Sequence, residues 1–184
     1  MNVELILMSE DDKVEFDEVK QLDKHYDIVM ATEEDREEIL SLYKAQIGRE
    51  FCPWDEEYPS NETIDGDFSR ESLFVLKMDG AIKATVSIEE DEAVDLLSCW
   101  DKNLAPAGEL ARLAVLPNEQ NKGLGRIMLK FGMDELKRRG FKSIHFLVNK
   151  HNKKAIACYS VFGFPVVGEC YMYEQDFLCY EKEL

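Results

Sequence analysis

One segment of the chain combines an apolar strand, a polar loop and a glycine-led helix start, and it constrains the fold more than any other. The apolar run from Leu110 to Leu116 ends at Pro117. A polar loop then leads to Gly123 and Gly125, after which apolar residues recur at helical spacing. The first N–H groups of a helix have no partner within the helix, and glycine lets the backbone approach a ligand closely. The segment therefore predicts an anion site at the mouth of a helix, most often used for phosphate.

The elements around this segment predict a single α/β domain with a mixed sheet. The chain has 184 residues, enough for one buried core. We expect an N-terminal extension over residues 1–25, with a possible strand over 2–8, and the domain over residues 26–184. Residues 72–88 predict a hairpin that turns at Asp79-Gly80, and two strand–helix units and closing strands follow it.

Two short helices are predicted before the hairpin. The first follows a strand over 27–30, begins with an acidic capping box over Thr32 to Asp35, and ends at Gly48. Asn61 is predicted to cap the second, which runs over residues 64–68. The residues predicted to share the buried face of the first helix are Ile39, Leu40, Tyr43 and Ile47.

Charge is distributed unevenly along the chain. The net charge is -16, with 28 acidic and 9 basic residues in 1–100 but 10 acidic and 13 basic residues in 101–184. Strong acidity argues against nucleic acid or an anionic membrane as a partner. The basic C-terminal half suits a phosphorylated cofactor and the acidic N-terminal half suits a cationic acceptor, although solubility alone accounts for the acidity equally well.

Cysteine usage and the N-terminus predict a cytoplasmic location. No stretch approaches the roughly 18 apolar residues that a membrane span needs, and the first 24 residues mix acids with apolar residues where a signal peptide would be basic. The five cysteines are odd in number and form no C-x-x-C pair. Reduced thiols are therefore expected, with neither a disulfide framework nor a structural zinc site.

The spacing of the glycine loop separates it from the common nucleotide sites. A P-loop requires Lys-Ser or Lys-Thr after its last glycine, and the chain has no such pair here. A dinucleotide-binding loop requires a third glycine at the position of Met128. Both of these sites are thus disfavoured.

Two segments together identify a family resemblance. The loop reads Gln120-Asn-Lys-Gly123-Leu-Gly125, and the helix after the next strand reads Asn152-x-x-Ala155-x-x-x-Tyr159-x-x-x-Gly163-Phe164. In this order they resemble the two cofactor elements of the GNAT superfamily of N-acetyltransferases, over a region from Tyr26 to the C-terminus. The resemblance implies a GNAT-type α/β fold, with a central mixed, mostly antiparallel sheet, flanking helices and splayed strands.

The resemblance also implies acetyl-CoA as cosubstrate, and no metal. The backbone of the glycine loop would bind the pyrophosphate, and the preceding strand would offer main-chain groups to the pantetheine arm. Asn152 and Lys122 also have simpler interpretations. Asn152 suits an ordinary helix N-cap, and Lys122 suits a solvent-exposed basic residue at the edge of the loop. The implied cofactor-binding residues are Leu113, Ala114, Val115, Gln120, Asn121, Lys122, Gly123, Leu124, Gly125, Arg126, Asn152 and Tyr159.

Acetyl transfer to an amine poses two proton-transfer problems, and the resemblance assigns one residue to each. Tyr159 matches the tyrosine that is thought to protonate the coenzyme A sulfur, the alternative being a packed aromatic ring. Glu109 matches the glutamate base of one branch of the family, and a chain of waters is the alternative. Arg112 is expected to pair with an acid across the sheet, and His145 to be a core or edge histidine.

The acceptor is expected to enter opposite the coenzyme A arm, beside a loop with aromatic and acidic residues. Such a wall favours a cationic amine through charge attraction and cation–π contact. We expect a small-molecule or peptide amine as acceptor and a monomer or homodimer. A non-catalytic acyl-CoA-binding sensor or interaction module, and transfer of a longer acyl chain, stay open as alternatives. The candidate acceptor-binding residues are Trp54, Glu57 and Tyr58, with Asp55 and Glu56 beside them.

Overall fold

A computed structural model of the protein describes residues 25–50 and 52–184. The predictions made for residues 1–24 lie outside this part of the chain. Seven strands form one sheet: β1 Tyr26–Met30, β2 Leu73–Met78, β3 Ala81–Glu89, β4 Ala107–Val115, β5 Ser143–Asn149, β6 Val166–Met172 and β7 Gln175–Glu183. The helices are α1 Arg36–Lys44, α2 Asn61–Ser69, α3 Glu92–Asp95, α4 Leu124–Arg138 and α5 Lys153–Ser160.

The strand order is β1-β2-β3-β4-β5-β7-β6, and β4 and β5 are the one parallel pair of neighbours in the described sheet. All other neighbours are antiparallel. The predicted fold class, a mixed and mostly antiparallel sheet with flanking helices, is confirmed. The predicted hairpin is also present, because β2 and β3 pair around Asp79 and Gly80, whose φ angles of 52° and 78° suit a tight hairpin turn.

Each face of the sheet carries its own apolar cluster. On one face, α4 and α5 pack against alternate residues of β2 to β5 and β7. Helix α4 and β4 approach closely, because a Cβ on Gly108 would clash with Leu136 and a Cβ on Gly132 would clash with Leu110. On the other face, α1 and α2 cover the β1–β3 side, with Ile39, Tyr43 and Ile64 fully buried. Beyond that second cluster, toward β5 and β7, the same face carries polar and ionisable side chains instead.

The helix beginnings and buried faces differ from the sequence predictions in three places. The capping box at Thr32 and Asp35 is present, but it opens a 3-10 turn before α1. Leu42 and not Ile47 is fully buried on α1, since the helix ends at Lys44 and the chain turns before Gly48. The second helix begins before the predicted residues 64–68, and its cap lies one residue before the predicted cap Asn61. Ser60 is its cap, with a reciprocal bond to Thr63, and Asn61 is its first helical residue.

The loop between β3 and β4 folds back over the polar face of the sheet. Asp91 caps α3 by accepting from the N–H groups of Ala93 and Val94. Trp100 then donates its indole N–H to the carbonyl of Val94 at 2.7 Å. The loop is thereby held as a cover on this face. Among the helices described, none is long and apolar enough to cross a bilayer.

Candidate functional site

The sheet opens where β4 and β5 separate. Their parallel ladder consists of three residue pairs, from Ala107–Ser143 to Glu109–His145. Beyond Glu109, β4 continues beside β3 to Val115, while β5 continues beside β7 to Asn149. The two strands therefore enclose a wedge-shaped gap, with Glu109 and His145 at its closed end.

A β-bulge at Arg112 reshapes the strand beside this gap. The register between β3 and β4 shifts between Thr85 and Ser87, and Arg112 has a φ of 49°, in the left-handed region. Thr85 donates its hydroxyl to the carbonyl of Arg112 at 3.2 Å, which holds the bulge in place. A bulge bends its strand and redirects its side chains. Here it sends the Arg112 side chain to the polar face, where it is buried.

The main chain of β4 faces the gap at alternate residues. The carbonyl of Val115 accepts from the side-chain amides of Gln46 and Gln120, whereas the N–H of Leu116 donates to Lys83 on the β3 side. Because both backbone groups of a strand residue point to the same edge and successive residues alternate, those of Val115 and Leu113 point away from β3. The N–H groups of these two residues thus face the gap, while Ala114 packs into the cluster under α1.

The glycine loop ends in a left-handed turn at the mouth of α4. Gly123 precedes the first helical residue, Leu124, and has a φ of 82°, while Asn121 has a φ of 62°. A Cβ on Gly125 would meet the side chains of Leu113, Val115 and Cys158 only at ordinary contact distances of 3.7–3.9 Å. The fold alone therefore accommodates an alanine at residue 125. The first helical N–H groups lie here, at the positive end of the helix dipole.

Side chains fix the loop from both sides. Gln120 bonds the carbonyl of Val115 at 3.2 Å and accepts from Arg49 at 3.0 Å. Lys122 pairs with Glu119 at 2.9 Å and is half exposed. Arg126, in the first turn of α4, interacts with Cys158 on α5. The loop is thus tied to the end of β4, to the chain after α1, and to α5.

Helix α5 lies on the same face of the sheet as α4. The side chain of Asn152 caps it, accepting from the N–H of Ala155 at 3.0 Å. Tyr159 packs against Phe146 of β5, with ring centroids 4.5 Å apart, and lies 6.2 Å from Tyr180. Burial raises the pKa of the Tyr159 phenol. At neutral pH the phenol is therefore protonated and is a proton donor.

Glu109 projects to the opposite face of the sheet. Its side chain is buried, and Oε2 has no hydrogen-bond partner among the described residues. Burial, followed by the negative charges of Asp91, Glu89 and Asp95, raises the pKa of Glu109 to about 8, although Arg112 opposes this. A carboxyl group with such a pKa exchanges protons near neutral pH, as a general base requires.

A buried ionic network lies beside Glu109. Arg112 donates to Asp67 at 2.7 Å, to the hydroxyl of Tyr58 at 3.1 Å, and to Glu89. Asp67 also accepts from Arg70 at 2.9 Å and from Ser87 at 2.9 Å, and it is fully buried. The expected pairing of Arg112 with an acid across the sheet is confirmed. The network joins the bulge of β4 to α2 and to the loop that carries Tyr58.

A second tyrosine approaches from the turn between β6 and β7. Tyr173 and Glu174 form that turn with φ angles of 50° and 59°. The Tyr173 hydroxyl donates to Asp91, the cap of α3. Burial, followed by Asp91, Glu109 and Tyr58, raises the pKa of Tyr173, which places all four groups in one neighbourhood.

The three candidate acceptor residues occupy different environments. Trp54 packs edge-on against Tyr43, with ring centroids 5.3 Å apart, in the cluster under α1. Glu57 is exposed, and its N–H donates to Asp55 in a tight turn. Tyr58 is 45% exposed and joins the ionic network through its hydroxyl. The structure thus brings Tyr58 to the Glu109 side of the sheet, whereas Trp54 contributes to the core.

Several polar residues of the site lack a motif in the sequence. The acids near Glu109 come from a strand end and a short helix, and Tyr173 comes from a turn without glycine. One signal was present: β3 alternates apolar residues with Thr85, Ser87 and Glu89, which places these three on one polar face. The overlooked residues are Asp67, Glu89, Asp91, Asp95, Tyr173 and Glu181. Within the described chain, no three His, Cys, Asp or Glu side chains are grouped to hold a metal ion.

Comparisons with known proteins agree on one family. Residues 24–164 match the family model described as "Acetyltransferase (GNAT) family". The [ribosomal protein bS18]-alanine N-acetyltransferase of Escherichia coli (strain K12) is 42% identical over 55 residues, which are 30% of this chain and 37% of that protein. The mycothiol acetyltransferase of Thermomonospora curvata is 32% identical over 69 residues, 38% of this chain and 23% of that protein. The matched segments thus span well under half the length of these relatives.

The fold extends the similarity to most of the chain. The structure of yncA from Salmonella typhimurium, solved with its cofactor acetyl-CoA, superposes with a TM-score of 0.69. It is 19% identical, and the superposition covers 86% of this chain and 94% of that one. At this level of identity, the likeness concerns the fold.

Proposed function

The chain belongs to the acetyltransferase (GNAT) family, and on that premise we propose that it transfers an acetyl group from acetyl-CoA to a primary amine. One observation carries the proposal. The gap between β4 and β5 has a helix mouth and open main-chain edge at one end, and a buried carboxyl with a raised pKa at the other. A cofactor arm and an amine acceptor need these two environments side by side.

The described residues fit acetyl-CoA by two observations. The N-terminus of α4 supplies N–H groups behind a left-handed glycine, and the space beside Gly125 is open enough for a close backbone approach. The edge of β4 presents the N–H groups of Leu113 and Val115 to the gap, as a strand partner requires. When bound there, acetyl-CoA supplies the thioester carbonyl that the amine attacks and the thiolate that leaves.

Glu109 is the proposed base. An ammonium group with a pKa near ~10 has to lose a proton before its nitrogen is nucleophilic. The carboxylate of Glu109 accepts that proton, and its pKa of about 8 lies closer to that of the amine than an exposed carboxylate's does. A smaller difference in pKa makes the transfer less unfavourable.

Tyr159 is the proposed acid. It lies on α5, on the face of the sheet opposite Glu109, so that the two groups flank the gap. Its raised pKa keeps the phenol protonated, and the phenol then donates this proton to the leaving sulfur. Base and acid therefore act from different sides of the same opening.

The acceptor is proposed to be a cationic small-molecule or peptide amine. Glu89, Asp91 and Asp95 surround Glu109 with negative charge, which favours an ammonium group. The exposed ring of Tyr58 provides an aromatic wall beside them. Among the relatives, one is named for an alanine amino group of a ribosomal protein and another for mycothiol. The proposal therefore includes both protein and small-molecule acceptors.

Two experiments test the proposed function in sequence. Acetyl-CoA at a hundredfold excess over its Kd should stabilise the protein by about 2.7 kcal/mol, which a thermal melt detects. A thiol-release screen against polyamines, aminoglycosides, amino acids and basic peptides then identifies the acceptor. The absence of any stabilisation by acetyl-CoA would refute the proposal. Stabilisation without thiol release from any acceptor would instead support a non-catalytic acyl-CoA sensor.

The pH dependence of the rate tests the base. With the best acceptor from the screen, kcat/KM should rise with pH through an inflection near pH 8. Glu109→Gln should remove this inflection and leave only the limb that belongs to the acceptor amine. An unchanged profile in the variant would assign the base to a water chain or to another residue.

A further inference from the structure

Glu109 belongs to a row of four ionisable side chains that crosses the sheet. Glu89 pairs with Glu109, Glu109 with His145, and His145 with Glu181 in the strand register. Directly paired residues of neighbouring strands project to the same face. The row therefore places His145 beside Glu109 at the closed end of the gap, on the side away from the cofactor helices.

His145 is an unusual residue for the interior of a sheet. It is 2% exposed, and its ring stacks on Trp100 with centroids 4.7 Å apart and planes 15° apart. Nε2 lies 3.1 Å from Oδ1 of Asp95, but neither ring nitrogen has a hydrogen-bond partner of good geometry in the described chain. An unsatisfied buried polar atom is unfavourable, so a purely structural residue at this position would be apolar. The imidazole thus suggests a role in proton transfer.

The proposed base needs a route for its proton. Glu109 is 8% exposed and has an unpartnered Oε2, and the acceptor would occupy the open side of the carboxyl group. Asp95, whose Oδ1 lies close to His145 Nε2 and whose charge also acts on Glu109, has a side chain that is 52% exposed to solvent. Glu109, His145 and Asp95 thus form a sequence of groups that leads from the closed end of the gap to the surface.

Building on the function proposed above, we infer that His145 is a positioning residue that relays the proton of Glu109 to Asp95 and from there to solvent. The ammonium group gives a proton to the Glu109 carboxylate, and the resulting acid passes it to neutral His145. The imidazolium passes a proton to Asp95, which releases it to water. One proton moves from the acceptor to solvent, and all three side chains regain their charge.

The charged groups around His145 are consistent with this relay. Asp95 faces it from α3, Glu109 from β4 and Glu181 from β7, and Glu181 accepts from the N–H of Asp101 in the covering loop at 2.8 Å. Burial lowers the pKa of His145, while Asp95 opposes the shift. The ring is therefore neutral at pH 7 and is able to accept a proton, and the carboxylate of Asp95 stabilises the transient imidazolium.

A spectroscopic test examines the relay without turnover. Imidazole ¹⁵N spectra of the ligand-free protein report the tautomer and titration of His145, which His145→Gln identifies among the three histidines. Glu109→Gln and Asp95→Asn should each shift the His145 resonances and its titration midpoint. Leu147→Ala, on the same strand and face, is the control and should leave both in place. Insensitivity of His145 to both carboxyl variants would overturn the relay.

A kinetic test uses the best acceptor found by the thiol-release screen. His145→Gln and Asp95→Asn should lower kcat by about tenfold or more with little change in the KM for acetyl-CoA. Added imidazole should restore part of the rate of His145→Ala but not that of Glu109→Gln or Leu147→Ala. Should His145→Ala fail to fold, His145→Gln and Asp95→Asn still decide the question.

The possible failures are distinguishable. If Glu109→Gln lowers the rate but the His145 and Asp95 variants stay within twofold of the parent, the relay is wrong and the base assignment stands. If imidazole stimulates every variant equally, it acts as a buffer and the relay is also wrong. If Glu109→Gln itself has the parent rate and pH profile, the proposed base is wrong, and the relay with it.

Discussion

The two ends of the gap between β4 and β5 are built from different parts of the polypeptide. At the cofactor end, the groups offered to a ligand are mainly backbone: the N–H groups at the mouth of α4 and along the edge of β4. At the acceptor end they are side chains from many separate segments, including Tyr58, Glu109 and Tyr173. Ligand binding at the cofactor end therefore depends on backbone geometry, whereas the chemistry of the acceptor end depends on the identity of its side chains.

This difference has an electrostatic counterpart. The cofactor end uses partial charges of peptide groups, which need no counter-ion and no pKa adjustment. The acceptor end concentrates ionised groups, and the single buried arginine among them, Arg112, contacts two carboxylates at once. Substitutions of the ionised groups at the acceptor end should therefore change stability and its pH dependence, whereas substitutions at the cofactor end should leave the pH dependence of stability as it is.

The largest effect is expected from the buried carboxyl group of Glu109. Its pKa is about 8 in the folded protein and near 4.5 when unfolded, so the folded state binds more protons between these values and stability falls as pH rises from about 4.5 to about 8. The full loss is at most about 5 kcal/mol. Glu109→Gln should remove it, so that the variant's free energy of unfolding exceeds the parent's increasingly toward pH 8 in urea titrations. The prediction would be contradicted if the free energies of unfolding of parent and variant changed in parallel with pH. Glu57→Gln, at an exposed position, is the control.

The buried ionic network should give the next largest effect. Arg112→Met leaves Asp67 and Glu89 without their buried partner, and breaking a buried pair costs about 3–5 kcal/mol. Arg70→Met is a matched control, because Arg70 contacts the same two carboxylates but has a side chain that is 31% exposed. Its cost should be no more than about 1 kcal/mol. Equal losses in chemical denaturation would show that the burial of Arg112 is not what matters.

Tyr159→Phe tests whether a side chain on the cofactor side of the gap takes part in catalysis. Loss of the phenol hydroxyl should lower kcat by about a hundredfold if it is the acid, with cofactor affinity nearly unchanged. Tyr180→Phe is the control, since Tyr180 stacks on the same Phe146 ring at 5.7 Å. Steady-state rates and acetyl-CoA titrations of both variants provide the measurement. A rate for Tyr159→Phe that matches the control would make Tyr159 a packing residue.

The smallest effects are expected at the two loop glycines, and they should differ in kind. Gly123→Ala places a Cβ at a φ of 82° and should cost about 1–2 kcal/mol of stability. Gly125→Ala meets only ordinary contacts, so the melting temperature should hold while acetyl-CoA affinity falls by about tenfold. Calorimetric titration together with thermal melts separates the two. An unchanged affinity in Gly125→Ala would show that no close approach occurs there.

The backbone features of the cofactor end were predictable from the sequence, whereas the side-chain cluster of the acceptor end was not. The hairpin at Asp79-Gly80 and the glycine loop before α4 were predictable because local backbone requirements leave a mark on residue type and spacing. The partners of Glu109 were not, because they meet only through strand register and a β-bulge. Arg112 shows this most clearly: its positive φ redirects it into the network, although nothing in the segment around it signals a left-handed residue.

The three-pair ladder between β4 and β5 has a further consequence for how this architecture changes over time. The width of the opening is set by how many backbone pairs close it, a quantity that most side-chain replacements leave untouched. Sequence drift can therefore change the side chains around Glu109 while the opening keeps its shape. An insertion or deletion that lengthens the ladder by even one pair would move its vertex past Glu109, so we expect indels in this family to avoid the segments that flank those three pairs.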